Sequence, residues 1–250
     1  VPWEAAAAAL GAILALAGPA AMLAAGYHVL GTNQVGADVL YQALKSIRTS
    51  LVIGTLTTLV LLPLGIAAGI AAGYFRGWVD DAIQYVYTTL NSIPGVLLIA
   101  ASVLMVQVYV DTNPELFPTS AQRADFRLLA LCGILGAVGW TGLARLLRGE
   151  ALKLSELEYI QAARALGVSN ATIMFRHLLP NAMVATMTFL PFILSSSVMT
   201  LTSLDFLGFG LPPGSPSLGE MLSQGKANVH APWLGLSGFF TIAIMLSLLI

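Results

Sequence analysis

One cysteine, Cys132, and three histidines, His28, His177 and His230, have the widest chemical repertoire in this chain, and their surroundings withhold it. Cys132 sits in an apolar stretch, where desolvation disfavours the nucleophilic thiolate, so it reads as a small packing residue. The histidines stand far apart, and no H-x-x-x-H or Cys/His spacing brings two of them together around a metal. Paired carboxylates, H-E-x-x-H and G-x-S-x-G are all missing from the apolar stretches, which argues against an intramembrane enzyme. Without a G-x-x-x-x-G-K-[ST] the chain has no P-loop for ATP. We therefore expect no catalytic residue, no metal ligand and no cofactor on this chain.

What remains is the chemistry of hydroxyls and one amide. Thr88, Thr89, Asn91 and Ser92 precede Pro94 and Gly95, and Ser195, Ser196, Ser197, Thr200 and Thr202 share another apolar stretch. Pro94 removes one helical hydrogen bond and is expected to kink its helix. Hydroxyls and an amide near a kink are able to line a wet path, with Thr88, Asn91, Ser92, Ser196 and Thr200 as its candidate residues. Equally, Ser and Thr bond within their own helix or to a neighbouring one. The apolar stretches hold no Asp, Glu, Lys or Arg, which counts against a proton relay and hence against an ion-coupled secondary transporter.

These residues must be carried by membrane helices. Of 250 residues 57% are hydrophobic and 9% charged, and the mean hydropathy is +0.84. Soluble domains carry about 25% charged residues. No Asp, Glu, Lys or Arg occurs in residues 5–37, 49–75, 82–110, 128–144, 177–204 or 227–250, and each block can hold a spanning helix of about 20 residues. A soluble enzyme is excluded. Nucleic-acid binding is excluded too, because eleven Lys+Arg against twelve Asp+Glu leave no basic surface. The fold class is an all-α polytopic membrane protein with six helices near 5–26, 50–73, 84–109, 128–147, 182–203 and 233–250. Gly65, Gly69 and Gly73 form a ridge of small residues for close helix approach, within the bundle or against another subunit. Val1 in place of Met and an apolar block running to Ile250 lead us to expect trimmed termini and a truncated last helix. Val1–Ala25 lacks the basic start of a signal peptide and reads as a membrane helix.

Charge orients the bundle. Arg145, Arg148, Lys153, Arg164 and Arg176 surround one loop, which the positive-inside rule places in the cytoplasm. Residues 74–83, with Arg76, then lie inside as well. Segments 27–49, 110–127 and 204–232 face outward, with the polar, proline-containing stretch Asp111–Arg127 and the turn-rich stretch 208–219 as ordered loops.

The cytoplasmic loop is organised. Ser155 followed by Glu158 matches a capping box, predicting a helix from there to Leu166. Gly167 supplies the left-handed residue that ends it. Ser169 or Asn170 then caps a second short helix leading to Pro180. Tyr159, Ala162, Ala163 and Leu166 share one face of the first helix, and the two alanines there let a partner backbone come near. An amphipathic loop lying on the lipid surface is the alternative.

Gln161-Ala162-Ala163, three residues, Gly167, nine residues, then His177-x-Leu179-Pro180 resembles the EAA signature of permease subunits of bacterial ABC importers. Gln161 stands where that signature has Glu, and His177 where it has Ile. Gly31-Thr32-Asn33, Gly36 and Asp38-Val39-Leu40 are similar to the segment after the first helix in C-type dipeptide/oligopeptide permeases, from which Asn33 and Ala37 depart. Residues 204–222, LDFLGFGLPPGSPSLGEML, look like that family's outer loop, and their wording lies nearest its Yej-type branch of oligopeptide and microcin C importers. Many relatives carry acidic residues where this chain has Leu201 and Thr88, so no charged pathway contact is carried over.

The resemblance implies a type I ABC importer permease fold in the bacterial inner membrane. It divides the chain into 1–49, the first helix and outer segment, and 50–250, the permease domain with a coupling loop at 148–181. It assigns ATPase coupling to Glu158, Tyr159, Gln161, Ala162, Ala163, Arg164, Gly167 and Pro180, and outer contacts to Asp205, Gly208, Gly210 and Pro213. The implied partners are a second, B-type permease, two cytoplasmic ATPase subunits that hold ATP and Mg, a periplasmic or lipoprotein substrate-binding protein, membrane lipid, and a peptide substrate. Nickel or another small solute is the alternative cargo of the same architecture.

Overall fold

The computed structural model describes residues 3, 4, 7, 8, 11, 15, 18, 19, 22, 23, 26–211 and 215–250. The expected first span, 5–26, lies largely outside the described residues, and so does Pro213. The remaining helices are α1 Val39–Phe75, α2 Gly77–Ser92, α3 Gly95–Thr112, α4 Ser120–Ser155, α5 Glu158–Ala165, α6 Leu179–Phe206, α7 Leu218–Ala227 and α8 Pro232–Leu249. A single turn, Asn170–Thr172, and a π-helical stretch, Ile173–Leu178, lead into α6 without a break. Five of the helical stretches are long and apolar enough to cross a membrane.

Each of these five overlaps an expected span. α1 starts at Val39, well before residue 50, because Asp38 caps it by accepting from Tyr41 N–H at 2.8 Å. The outer segment prepares that start. Asn33 Oδ1 accepts from Val35 and Ala37 N–H at 3.0 and 2.8 Å, and His28 Nδ1 lies 2.7 Å from Asp38 Oδ2. Residues 49 and 50 fall inside α1, so the helix runs through that division of the chain.

The expected third span, 84–109, is two helices rather than one kinked helix. A residue before proline is driven out of the α region. Ile93 accordingly takes φ −94° and ψ 132°, ending α2, and Pro94 stands at the start of α3.

The core is a long parallel seam of α1 against α4, along which Val60, Gly65, Gly69 and Gly73 meet Gly136, Leu143, Ala144 and Ala151 in the same order. A Cβ at Gly69 would stand 2.7 Å from the Ala144 carbonyl, and one at Gly73 would stand 2.6 Å from the Ala151 Cβ and the Arg148 carbonyl. The small-residue ridge is therefore spent inside this chain. Lipid tails are as apolar as leucine, so close van der Waals contact of this kind, rather than exclusion of water, holds the helices together.

Candidate functional site

The loop after α4 forms a hook, anchored on one side and exposed on the other. Its first helix begins later than the capping-box pattern predicts. Ser155 is still inside α4, 1% exposed, with its hydroxyl returned to the Ala151 carbonyl at 2.6 Å. Leu157 takes the cap position of α5 and offers no side-chain acceptor, leaving Glu158 as the acidic residue of the first turn. The expected Ser155–Glu158 box is thus not formed. A capping box occurs instead at Thr119 and Gln122, at the start of α4.

The end of α5 follows the sequence expectation. Gly167 takes φ +76°. Its N–H reaches the Arg164 carbonyl at 3.0 Å, and the Val168 N–H reaches the Ala163 carbonyl at 3.0 Å. This is the paired closure of a Schellman motif, which only a left-handed residue at 167 permits. Ser169 then accepts from Thr172 N–H at 3.3 Å, capping the turn toward α6. The π-helical stretch sits just before Pro180, whose ring would collide with the carbonyl four residues back in a regular helix. Widening the turn relieves that collision, and the Leu179 N–H bonds to the Met174 carbonyl.

Ile160 is the single buried residue of α5 and packs with Tyr74, Leu147, Ile173 and Leu178. Around it the hook is tied to α1 and α6. The Tyr74 hydroxyl donates to Asn170 Oδ1 at 2.7 Å, and the Arg164 guanidinium lies 4.5 Å above the Tyr74 ring. Arg76 pairs with Glu156, whose carboxyl is thereby held below the usual range. Asn181 Nδ2 donates to the His177 carbonyl at 2.7 Å and to the Tyr159 hydroxyl at 3.3 Å.

Of the expected coupling face, Tyr159 is 46% and Leu166 84% exposed, Ala162 is exposed, and Ala163 is half-buried. Glu158, Gln161, Arg164 and Pro180 are exposed as well. A short helix held by one apolar anchor and several polar ties, with its remaining surface free, can transmit force to whatever docks on it.

Sequence reasoning missed the ion pairs that brace the hook. The Arg148 Nε and Nη2 donate to Asp80 Oδ1 and Oδ2, both at 2.6 Å. This fork from α4 to α2 holds the Asp80 carboxyl below the ordinary carboxylate range. The available signal was that Arg76, Asp80, Arg148 and Glu156 all belong to segments assigned to one side of the membrane.

The candidate pathway residues divide. Thr88 and Ser92 border an open groove with Asp81, Gln84 and Tyr85. Asn91 Oδ1 accepts from the Thr141 hydroxyl at 3.1 Å. Ser196 and Thr200 line a separate cavity among α1, α3, α4 and α6.

At the end opposite the hook, Asp205 is only 6% exposed. It organises the turn after α6, accepting from Leu211 N–H at 2.7 Å and from the Ser217 hydroxyl. Gly208 takes φ +81°. A Cβ at Gly210 would collide with the Asp205 carboxylate. A cavity of about 410 Å³ beside this turn is bordered by Asp205, Gly208, Gly210 and the Asp111–Arg127 pair.

The profile of the family described as "Binding-protein-dependent transport system inner membrane component" matches residues 65–250. The chain is 49% identical over 223 residues to a peptidoglycan transport system permease protein, YejE, of Agrobacterium fabrum, covering 88% of this chain and 53% of that one. It is 47% identical over 221 residues to the inner membrane ABC transporter permease protein YejE of Escherichia coli, covering 88% and 60%. It thus spans between half and two thirds of these relatives' length. Among solved structures, an inward-facing form of the MetNI methionine ABC transporter superposes with a TM-score of 0.59 at 18% identity, covering 84% of this chain and 88% of that one. That last likeness is one of fold.

Proposed function

The chain belongs to the family of binding-protein-dependent transport system inner membrane components, and from that premise we propose that it is the membrane-spanning permease subunit of an ATP-driven peptide importer. The observation that carries this reading is α5: exposed on most of its surface, fixed through Ile160, and closed by Gly167 at φ +76°. In this reading Glu158, Tyr159, Gln161, Ala162, Ala163, Arg164 and Gly167, with Pro180 at the return to the membrane, meet a cytoplasmic ATPase. ATP and Mg are held by that partner. Closure of an ATPase pair pushes the hook, and the ties from Tyr74, Arg76 and Asn181 carry the push to α1 and α6. A two-state bundle whose states contact the ATPases differently is biased in this way toward opening outward.

A second, B-type permease completes the path, and the polar residues Thr88, Asn91, Ser92, Ser196 and Thr200 line this chain's share of it. A substrate-binding protein delivers cargo to the outer end, where Asp205, Gly208 and Gly210 shape the turn it meets. Oligopeptide is the favoured cargo because an oligopeptide permease protein of Mycobacterium bovis and a glutathione permease protein of Pectobacterium atrosepticum are 31% and 33% identical to the chain over 89% of its length.

The test is to tag the full-length protein in its native host, extract it in mild detergent after crosslinking, and identify co-purifying proteins by mass spectrometry. Recovery of a second permease and P-loop ATPases is the expected result. Recovery of the chain alone would overturn the importer reading and reduce α5 to a helix on the lipid surface.

A further inference from the structure

Helix α2, Gly77–Ser92, is fastened differently from the rest of the bundle. Only Asp80 and Tyr87 of its 16 residues are buried. Among the described residues, none of the three apolar clusters of the core includes a residue of α2. It is held instead by polar ties to one neighbour. Asp80, Tyr87 and Asn91, which share a face at helical spacing, meet Arg148, Arg145 and Thr141 of α4 in reverse order. The ties are the two-pronged Arg148–Asp80 fork, the Arg145 guanidinium 5.0 Å over the Tyr87 ring, and the Thr141 hydroxyl donating to Asn91 Oδ1 at 3.1 Å. Another face of α2, with Gln84, Thr88 and Ser92, borders the open groove.

Both ends of α2 are joints. At one, Ile93 is extended before Pro94. At the other, Arg76 takes φ +56° and ψ −167°, and Gly77 takes φ +53°. Among the described residues Arg76 is the one non-glycine with a positive φ. Its backbone lies at the edge of a region essentially reserved for glycine, and such a conformation persists only where surrounding contacts hold it.

The contact that holds it comes from the hook. The Arg76 guanidinium pairs with the Glu156 carboxylate, at the junction of α4 and α5. The Glu156 carbonyl in turn accepts from Gln161 Nε2 at 3.1 Å. Gln161 is one of the residues expected to meet the ATPase. A chain of contacts thus runs from the hook's exposed surface, through Glu156, to a strained joint at the start of α2.

Resting on the peptide-importer reading, we propose that α2 is a hinged gate latched by the Arg76–Glu156 pair. Displacement of the hook draws Glu156 from Arg76, the backbone at 76 relaxes, and α2 turns about its two joints away from α4. That motion carries Gln84, Thr88 and Ser92 across the cytoplasmic half of the path. The joint is the two-state element, and the hook biases it because only one state keeps the pair.

The experiment uses the full-length protein assembled with its partner subunits in proteoliposomes, in two arms. In the first, Asn91→Cys and Thr141→Cys, placed together in Cys132→Ala, report the docked position of α2 by their rate of bridging with a one-carbon bis(methanethiosulfonate). No nucleotide is present. Adding Glu156→Ala removes the latch and leaves the strain, so bridging should slow about fivefold, a shift within what such backbone strain supports. Adding Arg76→Gly removes latch and strain together, so α2 should stay docked and bridging should stay within about twofold of the parent pair. An ion pair that merely braced the fold would slow both variants alike. The latch is overturned if Glu156→Ala bridges as fast as the parent pair, or is not the slower of the two variants.

The second arm measures ATP-driven uptake of labelled trialanine by the cysteine pair before bridging, after bridging and after reduction. Bridging should lower uptake about tenfold or more, and reduction should reverse the loss. Uptake that ignores the bridge overturns the gate. If the unsubstituted assembly moves no trialanine, that result counts against the peptide reading, and the bridging rates still decide the latch.

Discussion

Arg148 grips Asp80 through two parallel hydrogen bonds of 2.6 Å, fastening the hook end of α4 to the first turn of α2. Side-chain exposures of 11% for Asp80 and 28% for Arg148 leave the pair only partly screened. Asp80→Ala is expected to cost about 1.5–3 kcal/mol, the range for hydrogen bonds to charged groups, and Asp80→Asn less, since one bond survives. Melting of the full-length variants in detergent measures both.

The same pair sets a pH dependence. The Arg148 guanidinium holds the Asp80 carboxyl below its ordinary value, which in an unfolded chain is about 3.9. A depressed carboxylate stabilises the fold fully above the unfolded value, and that contribution is lost as pH falls through the folded value. Melting temperature should therefore hold from neutral pH down to about 4 and drop below it. In Asp80→Asn the share of the drop due to this group disappears, which a melting series from pH 7 to about 3 reads directly.

The α1–α4 seam predicts opposite outcomes for one substitution at two glycines. Ala is a better helix former than Gly by up to about 1 kcal/mol. At Gly133, where a Cβ would meet nothing within 4 Å, Gly→Ala should be neutral or stabilising. At Gly73 the new Cβ would stand 2.6 Å from the Arg148 carbonyl, a backbone atom that cannot swing away. Overpacking costs about 1–3 kcal/mol and outweighs the propensity gain. Melting of the two variants side by side decides it.

How much of this was legible in the sequence depends on the range of the interaction. Five of the six expected spans, in their approximate positions, and the Gly167 turn were readable because charge-free blocks and a glycine after a helical pattern are local signals. The Ser155–Glu158 box was misread because the same short pattern fits inside a helix, and α4 simply continues through Ser155 to seal it against Ala151. Pro94 was readable as a disruption, but a clean break rather than a kink depends on Ile93 going extended. The meeting of Arg76 with Glu156, and of Asp80 with Arg148, joins residues far apart in the chain. No local pattern records such contacts.

Gly167 tests the hook by conformation alone. Nothing lies within 4 Å of a Cβ there, so its φ of +76° is the sole constraint. Asn tolerates that region and a β-branched residue does not. Gly167→Asn should keep most ATP-driven uptake. Gly167→Val, facing a penalty of about 1–2 kcal/mol or more, should lose it while inserting normally in the membrane. Uptake together with quantified membrane-fraction protein separates the two, and wild-type uptake by Gly167→Val would remove α5 from the coupling route.

Gly208 and Gly210 lie two residues apart and are glycine for different reasons, so they respond to different substitutions. Gly208 has φ +81° and open space, which makes Gly208→Asn tolerable and Gly208→Val disruptive. Gly210 does not have that backbone constraint, but a Cβ there would overlap the Asp205 carboxylate, which already accepts from Leu211 N–H and the Ser217 hydroxyl. Even Gly210→Ala must push Asp205 away from those donors and open the turn. Hydrogen exchange of the full-length protein should show faster exchange at the Leu211 amide in Gly210→Ala and a near wild-type rate in Gly208→Asn. Because Ser217 also caps α7 by accepting from Glu220 N–H at 3.3 Å, the disturbance should spread to the first turn of that helix. An unchanged Leu211 amide in Gly210→Ala would mean that the turn is held by something other than Asp205.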